Sequence, residues 1–201
     1  MNKSNKKVKN VKKNKTYKKK NKITYLLDID QTLIYSVYDN TKTSNPYKIY
    51  YRPHLNKLLK FFENNQNKYN LGFWSTGGVD YVNMILNKIL KNFKKLKVCI
   101  ILARHERSRV GDRPILGKQG GYPVIKNLLT NEEYPFYYHK QMFVKNVKHF
   151  INLKEIKNDN ILNNNTILVD DYSPNININD EKYIYAVPPW TDFMKNDNEL
   201  L

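Results

Sequence analysis

Two aspartates separated by one residue stand out in the segment LDIDQTLI, residues 27–34. Asp28 directly follows the apolar run ITYLL, and Asp30 and Thr32 follow at alternate positions. Two carboxylates this close cannot both stay ionised cheaply, so either a cation neutralises them or one holds a proton. Both solutions suit phosphoryl transfer, because a carboxylate beside Mg²⁺ can attack phosphorus and a protonated neighbour can protonate the leaving oxygen. The same pattern also occurs in ordinary turns and caps.

Two further apolar segments also end on polar side chains. Ser75 follows YNLGFW, and Asp170 and Asp171 close TILVDD. If these segments are parallel strands of one sheet, their carboxyl ends meet at one edge, where such sheets bind ligands. Mg²⁺ takes oxygen ligands and keeps several waters, so Asp28, a backbone carbonyl and one carboxylate of the Asp170–Asp171 pair would suffice to hold it. Ser75 could donate to a phosphoryl oxygen or could simply end its strand in a turn.

Strands and helices are predicted to alternate along the chain. Short apolar runs bounded by polar residues indicate buried strands, whereas apolar residues that recur every three to four positions indicate helices. This alternation predicts an α/β fold with a mostly parallel sheet, flanked by helices and joined by right-handed connections. We expect strands at 23–28, 69–74, 98–103, 166–171 and 183–187, a hairpin of 34–38 with 47–51, and helices at 53–65, 80–92, 143–151 and from Trp190.

Residues 104–140 differ in composition and periodicity from the rest of the folded part. They are charged, punctuated by Gly and Pro, and lack a long periodic stretch. We therefore predict an insert of loops and short elements over the polar end of the sheet. Its basic cluster ARHERSR (103–109) could contact an acidic phosphorylated substrate or could be a solvated loop.

Most of the positive charge lies in one segment. The 201 residues carry 35 Lys and Arg against 18 Asp and Glu, a formal net charge of +17. Residues 1–22 hold eleven Lys and no acid, so residues 23–201 carry only +6. With few apolar residues to pack, segment 1–22 is predicted to be a disordered Lys-rich tail. Such a tail could direct the protein to the nucleus, bind nucleic acid through counterion release, or only keep the chain solvated.

Composition excludes several classes of protein. Cys99 is the single cysteine, so the chain can form neither an internal disulfide nor a Cys-rich zinc site. No apolar run approaches the roughly 18 residues of a membrane span. We expect a soluble intracellular protein without membrane contact, nuclear or cytoplasmic with the nucleus slightly favoured. Cys99 lies too close to Arg104 for a cysteine-phosphatase loop and is expected to be a buried, unreactive thiol.

Five segments resemble, in the same order, the motifs of a known family. DIDQT fits the DxDxT signature of the haloacid dehalogenase (HAD) superfamily phosphatases, and more narrowly of the RNA polymerase II carboxy-terminal-domain (CTD) phosphatases and their small relatives. YYRPHLNKLLKFF, FWSTGG, FVKNV and ILVDDYSP resemble the later motifs. The similarity spans roughly 23–190 and implies a HAD-like catalytic domain over 23–201, of the small, single-domain kind.

The resemblance implies roles for the residues of the first motif. Asp28 would be the nucleophile and a Mg²⁺ ligand. Asp30 would be the general acid and base, and its backbone carbonyl would also bind the metal. Thr32 would steady the loop.

The resemblance also implies roles for the later motifs. Ser75 and Lys145 would hold the phosphoryl oxygens, although a lysine in so Lys-rich a chain could also be a solvated helix residue. The Asp170–Asp171 pair would complete the metal coordination, with Asp171 as the direct ligand. Ser75 begins a Ser-Thr-Gly-Gly sequence where the small relatives usually have Thr-Ala-Ser, a departure that keeps the first hydroxyl.

The function implied is a Mg²⁺-dependent protein serine/threonine phosphatase that forms an aspartyl-phosphate. Its partner would be a phosphorylated protein or peptide, with the RNA polymerase II tail as the family-suggested substrate and nucleic-acid contact through the basic tail. Two alternatives remain open at this point. One is a nucleic-acid 3′-phosphatase or small-phosphoester phosphatase of the same fold, and the other is a non-catalytic binding module, for which intact acids are not needed.

Overall fold

The computed structural model describes residues 22–41, 46–105, 109–110, 113–114, 124–135, 138–139, 142–153, 156 and 161–191. Except for Lys22, the predicted disordered tail lies outside these residues, as does nearly all of the helix predicted from Trp190. Within the described residues, no helix combines the length and apolar character needed to cross a bilayer.

The described residues form thirteen strands and four α-helices. The strands are β1 (Ile23–Leu27), β2 (Ile34–Tyr38), β3 (Tyr47–Tyr51), β4 (Tyr69–Gly78), β5 (Val98–Arg104), β6 (Arg109–Val110), β7 (Arg113–Pro114), β8 (Val124–Asn127), β9 (Glu133–Pro135), β10 (Tyr138–His139), β11 (Met142–Phe143), β12 (Thr166–Asp170) and β13 (Ile184–Ala186). The helices are α1 (Leu55–Asn64), α2 (Val79–Ile89), α3 (Val147–Ile151) and α4 (Ser173–Ile178), with a 3₁₀ turn at Glu181–Tyr183.

A mostly parallel sheet forms the centre of the described part of the chain. Its seven strands lie in the order β13-β12-β1-β4-β5-β8-β9, and the first five are parallel. The predicted α/β fold with a mostly parallel sheet flanked by helices is therefore confirmed. The predicted hairpin is also present, since β2 pairs antiparallel with β3.

The apolar strands are buried on both faces. Leu26 and Leu27, neighbours in β1, point to opposite sides of the sheet because side chains alternate along a strand. Leu27 packs in the cluster that contains the apolar residues of α1 and α2, and Leu26 packs in the cluster that contains those of α3. This two-sided burial is why the sequence shows continuous apolar runs rather than alternation.

The insert prediction is only partly right. Residues 104–140 were expected to supply loops and short elements over the polar end, yet β8 and β9 extend the central sheet as antiparallel edge strands. Asn127 ends β8, and its backbone and side chain then organise the turn to β9. Strands of only four and three residues carry too weak a period to predict such pairing. The rest of the predicted insert lies largely outside the described residues.

The helices differ from prediction at several places, among them α2, which ends at Ile89 and not at residue 92. Helix α1 begins two residues after Pro53 rather than at it. Helix α3 covers only Val147–Ile151, because Asn146 caps its first turn by accepting a hydrogen bond from the backbone N–H of His149. Helix α4 was not predicted, since its six residues are too few to show a helical period.

Gly72 lets the central strands pack closely. It lies in β4 between β1 and β5, and a Cβ atom there would stand 2.6 Å from Cγ2 of Ile100 and 2.8 Å from Cδ2 of Leu26. Both neighbours are buried, so neither can move away without disturbing the core.

We expect Gly72→Ala to lower the free energy of unfolding by about 1–3 kcal/mol, because overpacking a filled core forces its neighbours to shift. Urea unfolding measures the change. Gly78→Ser is the control, since nothing lies within 4 Å of a Cβ at Gly78 and serine is favoured at a helix N-cap. We expect the control to change stability by less than about 0.5 kcal/mol. Equal losses in the two variants would contradict this account of Gly72.

Candidate active site

The carboxyl ends of β1 and β12 bring two buried carboxylates together. Asp28 follows β1 directly, and its backbone N–H donates to the carbonyl of Val169, 2.9 Å away, so it continues the strand ladder. Asp170 is the last residue of β12. The parallel register sets Leu27 beside Val169, which leaves the next residue of each strand at the same edge. The sequence prediction that these acids share one edge is therefore correct.

The ammonium of Lys145 lies between these two carboxylates. Its Nζ donates to Oδ1 of Asp28 and to Oδ2 of Asp170, the latter at 2.7 Å. All three side chains are almost wholly buried. This burial excludes the alternative of a solvated helix lysine. Lys145 also precedes α3 and does not lie in it.

Two asparagines hold the backbone of Lys145 in place. Asn175 in α4 accepts from the Lys145 N–H through Oδ1, at 2.8 Å, and its Nδ2 donates to both oxygens of Asp170. Asn179 donates from Nδ2 to the Lys145 carbonyl at 2.7 Å. These asparagines were missed by the sequence analysis. Their only sequence signal was an Asn-rich segment, which resembles the composition of the whole chain.

The cluster carries an excess of negative charge. Burial raises the pKa of Asp28 well above its usual range; repulsion from Asp170 acts in the same direction, and attraction to Lys145 opposes both. Burial disfavours the charged form of Lys145, but the attraction of Asp170 and Asp28 outweighs it, so its pKa is raised. One ammonium facing two carboxylates leaves an uncompensated charge that a further cation would neutralise.

A third carboxylate completes a group that could bind a metal. Oxygens of Asp28, Asp170 and Asp171 all lie within 4.8 Å of one another. Thr32 donates from Oγ1 to Oδ1 of Asp171 at 2.9 Å, so the threonine predicted to steady the loop holds this carboxylate. Burial raises the pKa of Asp171, while the hydrogen bond from Thr32 lowers it. An all-oxygen, acidic donor set suits Mg²⁺.

Asp30 occupies a different environment from Asp28. Its Oδ1 accepts hydrogen bonds from the hydroxyl of Tyr81 and from Oγ of Ser36, the latter at 3.3 Å. Burial raises its pKa, and the two hydroxyl donors lower it. Its carboxylate is not part of the acidic group just described, and metal binding by its backbone carbonyl stays a prediction.

Tyr81 and Ser36 were also missed by the sequence analysis. Tyr81 is 51 residues from Asp30, and no spacing rule links them. Tyr81 lies in α2, which follows β4 without a loop, while Ser36 lies in the hairpin strand β2. Only the packing of the hairpin against the start of α2 brings both hydroxyls to Asp30.

Ser75 lies on the neighbouring strand, one residue beyond the level of Asp28. Phe73 of β4 pairs with Leu27, so Trp74 is level with Asp28 and Ser75 comes next. The Ser75 side chain is buried, and its Oγ accepts a hydrogen bond from the backbone N–H of Gly77 at 2.9 Å. Ser75 lies inside β4 and does not end it, and the contact with Gly77 leaves the hydroxyl hydrogen able to donate to a ligand.

Arg52 braces the loop that carries the two aspartates. Its side chain is buried, and its guanidinium donates to the carbonyls of Thr32 and Pro188, at 3.1 and 3.2 Å. The backbone N–H of Trp190 donates to the carbonyl of Gln31 at 2.7 Å. The left-handed conformation of Gln31, with φ of 60°, is thus held from two sides.

The side chains near the insert and in β5 have other partners. Arg104 donates from Nε to the carbonyl of Thr76 at 2.9 Å, and His105 lies 3.2 Å from a carboxylate oxygen of Glu133. The rest of the basic cluster at 103–109 is mostly outside the described residues. Burial raises the pKa of Cys99 to about 12, which agrees with an unreactive thiol.

The first half of the site lies in a segment that matches a known phosphatase family. Residues 23–119 match the model of the family described as NLI interacting factor-like phosphatase (NIF). This segment includes Asp28, Asp30, Thr32 and Ser75, and it ends before Lys145. The resemblance to HAD-type CTD phosphatases that the motifs indicated is thereby confirmed.

Two solved structures with which the chain aligns are of Fcp1. One is the fission yeast RNA polymerase II CTD phosphatase bound to beryllium fluoride, at 15% identity and a TM-score of 0.49. The other is Fcp1 as an essential RNA polymerase II CTD phosphatase, at 14% identity and the same TM-score. Each alignment covers 87% of this chain but only 43% or 44% of the other, so the chain spans less than half of their length. No curated protein matches the chain in sequence.

We expect Lys145→Met to lower the free energy of unfolding by about 3–5 kcal/mol at neutral pH, because it leaves two buried carboxylates without their cation. The deficit should shrink as the pH falls. Without Lys145, the folded-state pKa of Asp28 lies still further above its unfolded value, so stability is highest in acid and is lost as the pH rises through that folded pKa.

The control for Lys145 is Lys148→Met. Lys148 is exposed and lies 3.5 Å from the exposed carboxylate of Asp180, so its loss should cost less than about 1 kcal/mol. Urea unfolding of both variants in EDTA, at several pH values, gives the comparison. A deficit of Lys145→Met that stays constant with pH would show that lost packing, not charge, is responsible.

Proposed function

We propose that this protein is a Mg²⁺-dependent phosphatase that works through an aspartyl-phosphate on Asp28. The observation that carries the proposal is the different surroundings of the two aspartates of one short loop. Asp28 faces the ammonium of Lys145 and two further carboxylates, whereas Asp30 faces two hydroxyl groups. A cation bound beside Asp28 would keep its carboxylate ionised as the nucleophile, whereas Asp30, away from the acidic group and with a raised pKa, can hold the proton of the acid.

In the first step, an oxygen of Asp28 attacks phosphorus while the bond from phosphorus to the leaving oxygen breaks. Asp30 gives its proton to that leaving oxygen, so no alkoxide has to depart unprotonated. The raised pKa of Asp30 keeps this proton in place to a higher pH than an ordinary aspartic acid would. In the second step, water attacks the phosphorus, Asp30 takes a proton from the water, and Asp28 is released as a carboxylate.

Lys145 and Ser75 are proposed to bind the phosphoryl oxygens. The Lys145 ammonium already lies against the nucleophile, and its charge would offset that of an incoming phosphate. The Ser75 hydroxyl, with Gly77 as donor to its oxygen, retains a hydrogen for a phosphoryl oxygen. Thr32 acts indirectly, by holding Asp171.

Asp28, Asp170 and Asp171 are the side chains that would hold Mg²⁺, joined by the backbone carbonyl of Asp30. When bound, the ion supplies the positive charge that brings the phosphate and the carboxylate of Asp28 together. Asp171 is proposed as the direct ligand of the pair, because Asp170 already accepts hydrogen bonds from Lys145 and Asn175.

The proposed substrate is a phosphorylated serine or threonine in a protein. The matched family is described as phosphatases, and the two aligned structures are of a protein whose substrate is the RNA polymerase II CTD. A phosphorylated polymerase tail is therefore the first partner to examine, and such a partner would place the protein in the nucleus.

We expect the wild-type protein to hydrolyse 4-nitrophenyl phosphate in Mg²⁺ and not in EDTA. Asp28→Asn should lower kcat by at least about 10³-fold, since it removes the nucleophile. Asp180→Asn is the matched control, because Asp180 is exposed and pairs only loosely with Lys148, and it should retain full activity. Release of the nitrophenolate is followed by absorbance.

The same assay tests substrate preference and gives the outcome that would contradict the proposed function. Faster turnover of phosphoserine peptides than of 3′-phosphorylated oligonucleotides would support the protein substrate, and the reverse order would indicate the nucleic-acid alternative. No turnover by folded protein from mildly acidic to neutral pH would contradict catalysis and favour the non-catalytic binding module.

We also expect Mg²⁺ to stabilise the folded protein, because an ion that binds only the folded state raises its free energy of unfolding, by about 2.7 kcal/mol at 100 times Kd. Thermal unfolding with Mg²⁺ or EDTA measures this effect without any substrate. Asp171→Asn should lose most of the Mg²⁺-dependent shift, and Asp180→Asn should keep it. An equal shift in all three proteins would mean that Mg²⁺ binds elsewhere.

A further inference from the structure

The hydroxyl of Tyr81 makes a direct hydrogen bond to the proposed general acid. Tyr81 is the third residue of α2, and its OH donates to Oδ1 of Asp30. Oγ of Ser36 lies 2.8 Å from the same hydroxyl and 3.3 Å from Oδ1 of Asp30. Two hydroxyl oxygens from separate elements, α2 and β2, thus meet at one carboxylate oxygen.

We propose that Tyr81, supported by Ser36, is the positioning residue for Asp30: by occupying Oδ1, it directs the acid proton to Oδ2 and fixes that oxygen toward the leaving group. This inference rests on the proposed phosphatase reaction and adds a residue to it. A carboxylic acid carries its proton on one oxygen, and while Oδ1 accepts the hydrogen bond from Tyr81 the proton belongs on Oδ2.

The ring of Tyr81 is fixed by its own packing. A Cβ atom at Gly77 would stand 2.8 Å from Cδ1 of Tyr81, so only glycine at this position lets the ring lie where it does. On another side, the ring of Tyr47 in the hairpin packs edge-on against it, with centroids 4.9 Å apart. The glycine in Ser-Thr-Gly-Gly, a departure from the small relatives, thereby has a physical reason in this chain.

Gly77 contacts both the proposed phosphoryl-binding residue and the residue that orients the acid. Gly77 donates its N–H to Oγ of Ser75, which is proposed to bind the phosphoryl group, and its bare Cα faces the ring that orients the acid. The position of Tyr81 is therefore set by the turn that sets Ser75. A rigid support of this kind is what general acid catalysis needs, because proton transfer requires hydrogen-bond distance to the leaving oxygen.

The test compares two substrates that differ in their need for an acid. A nitrophenolate leaves readily without a proton, whereas the phenolate of phenyl phosphate is more basic and gains more from protonation. The measured quantity is the ratio of the two rates of leaving-group release in the first turnover, because this isolates the step in which Asp30 acts as an acid.

We expect Tyr81→Phe to slow release from phenyl phosphate by about 10-fold or more. Release from 4-nitrophenyl phosphate should change by less than about 3-fold, so the ratio shifts. Asp30→Asn should shift the ratio in the same direction, and adding Tyr81→Phe to it should have no further effect, since Tyr81 acts through Asp30. Tyr47→Phe, which keeps the ring contact and removes a different hydroxyl, should leave the ratio unchanged.

A ratio that is unchanged in Tyr81→Phe, with wild-type turnover intact, overturns this inference and leaves the proposed function standing. Absence of turnover in the wild-type protein overturns both. If Tyr81→Phe does not fold, Ser36→Ala provides the second variant. It should shift the ratio in the same direction by a smaller factor, and an unchanged ratio there also overturns the proposal.

Discussion

A single buried ammonium between two buried carboxylates is the contact on which the rest of this structure depends. Lys145 approaches Asp28 and Asp170 from a loop, and these two acids end adjacent parallel strands. Without the cation, the strands could not bury both charges at one edge. Without the strands, nothing would hold the lysine out of water. Asn175 and Asn179 complete the arrangement by fixing the lysine backbone, so α4 serves the site although it contributes no charge to it.

The loop after β1 places two identical side chains in two different chemical environments. Asp28 stays in line with the strand and faces charge, while Asp30 turns toward the hairpin and the start of α2, where hydroxyl groups meet it. The left-handed residue Gln31 and the buried Arg52 maintain this division. In the proposed reaction, β12 and the Lys145 loop therefore set the surroundings of Asp28 as the nucleophile, and α2 with the hairpin sets those of Asp30 as the acid.

The differences between prediction and structure have local causes. The strands of the parallel sheet were predictable, because burial on both faces leaves long apolar runs. Helix α4 and the edge strands β8 and β9 were not, because six residues of helix or four of strand carry almost no periodic signal. Helix α3 was predicted too long, since the cap at Asn146 outweighs the apolar periodicity that precedes it.

The sequence alone determined where β1 and β12 end, to within one residue, and which acids lie at those ends, because an apolar run closed by Asp is a local pattern. It therefore predicted Asp28, Asp170 and Asp171 as neighbours, and the structure brings their oxygens together. Only the tertiary structure decided which partner each aspartate received. Lys145 is 117 residues from Asp28 and Tyr81 is 51 from Asp30, and both contacts depend on how whole elements pack. At such long-range contacts the direction of each side chain follows from packing, which no local pattern encodes.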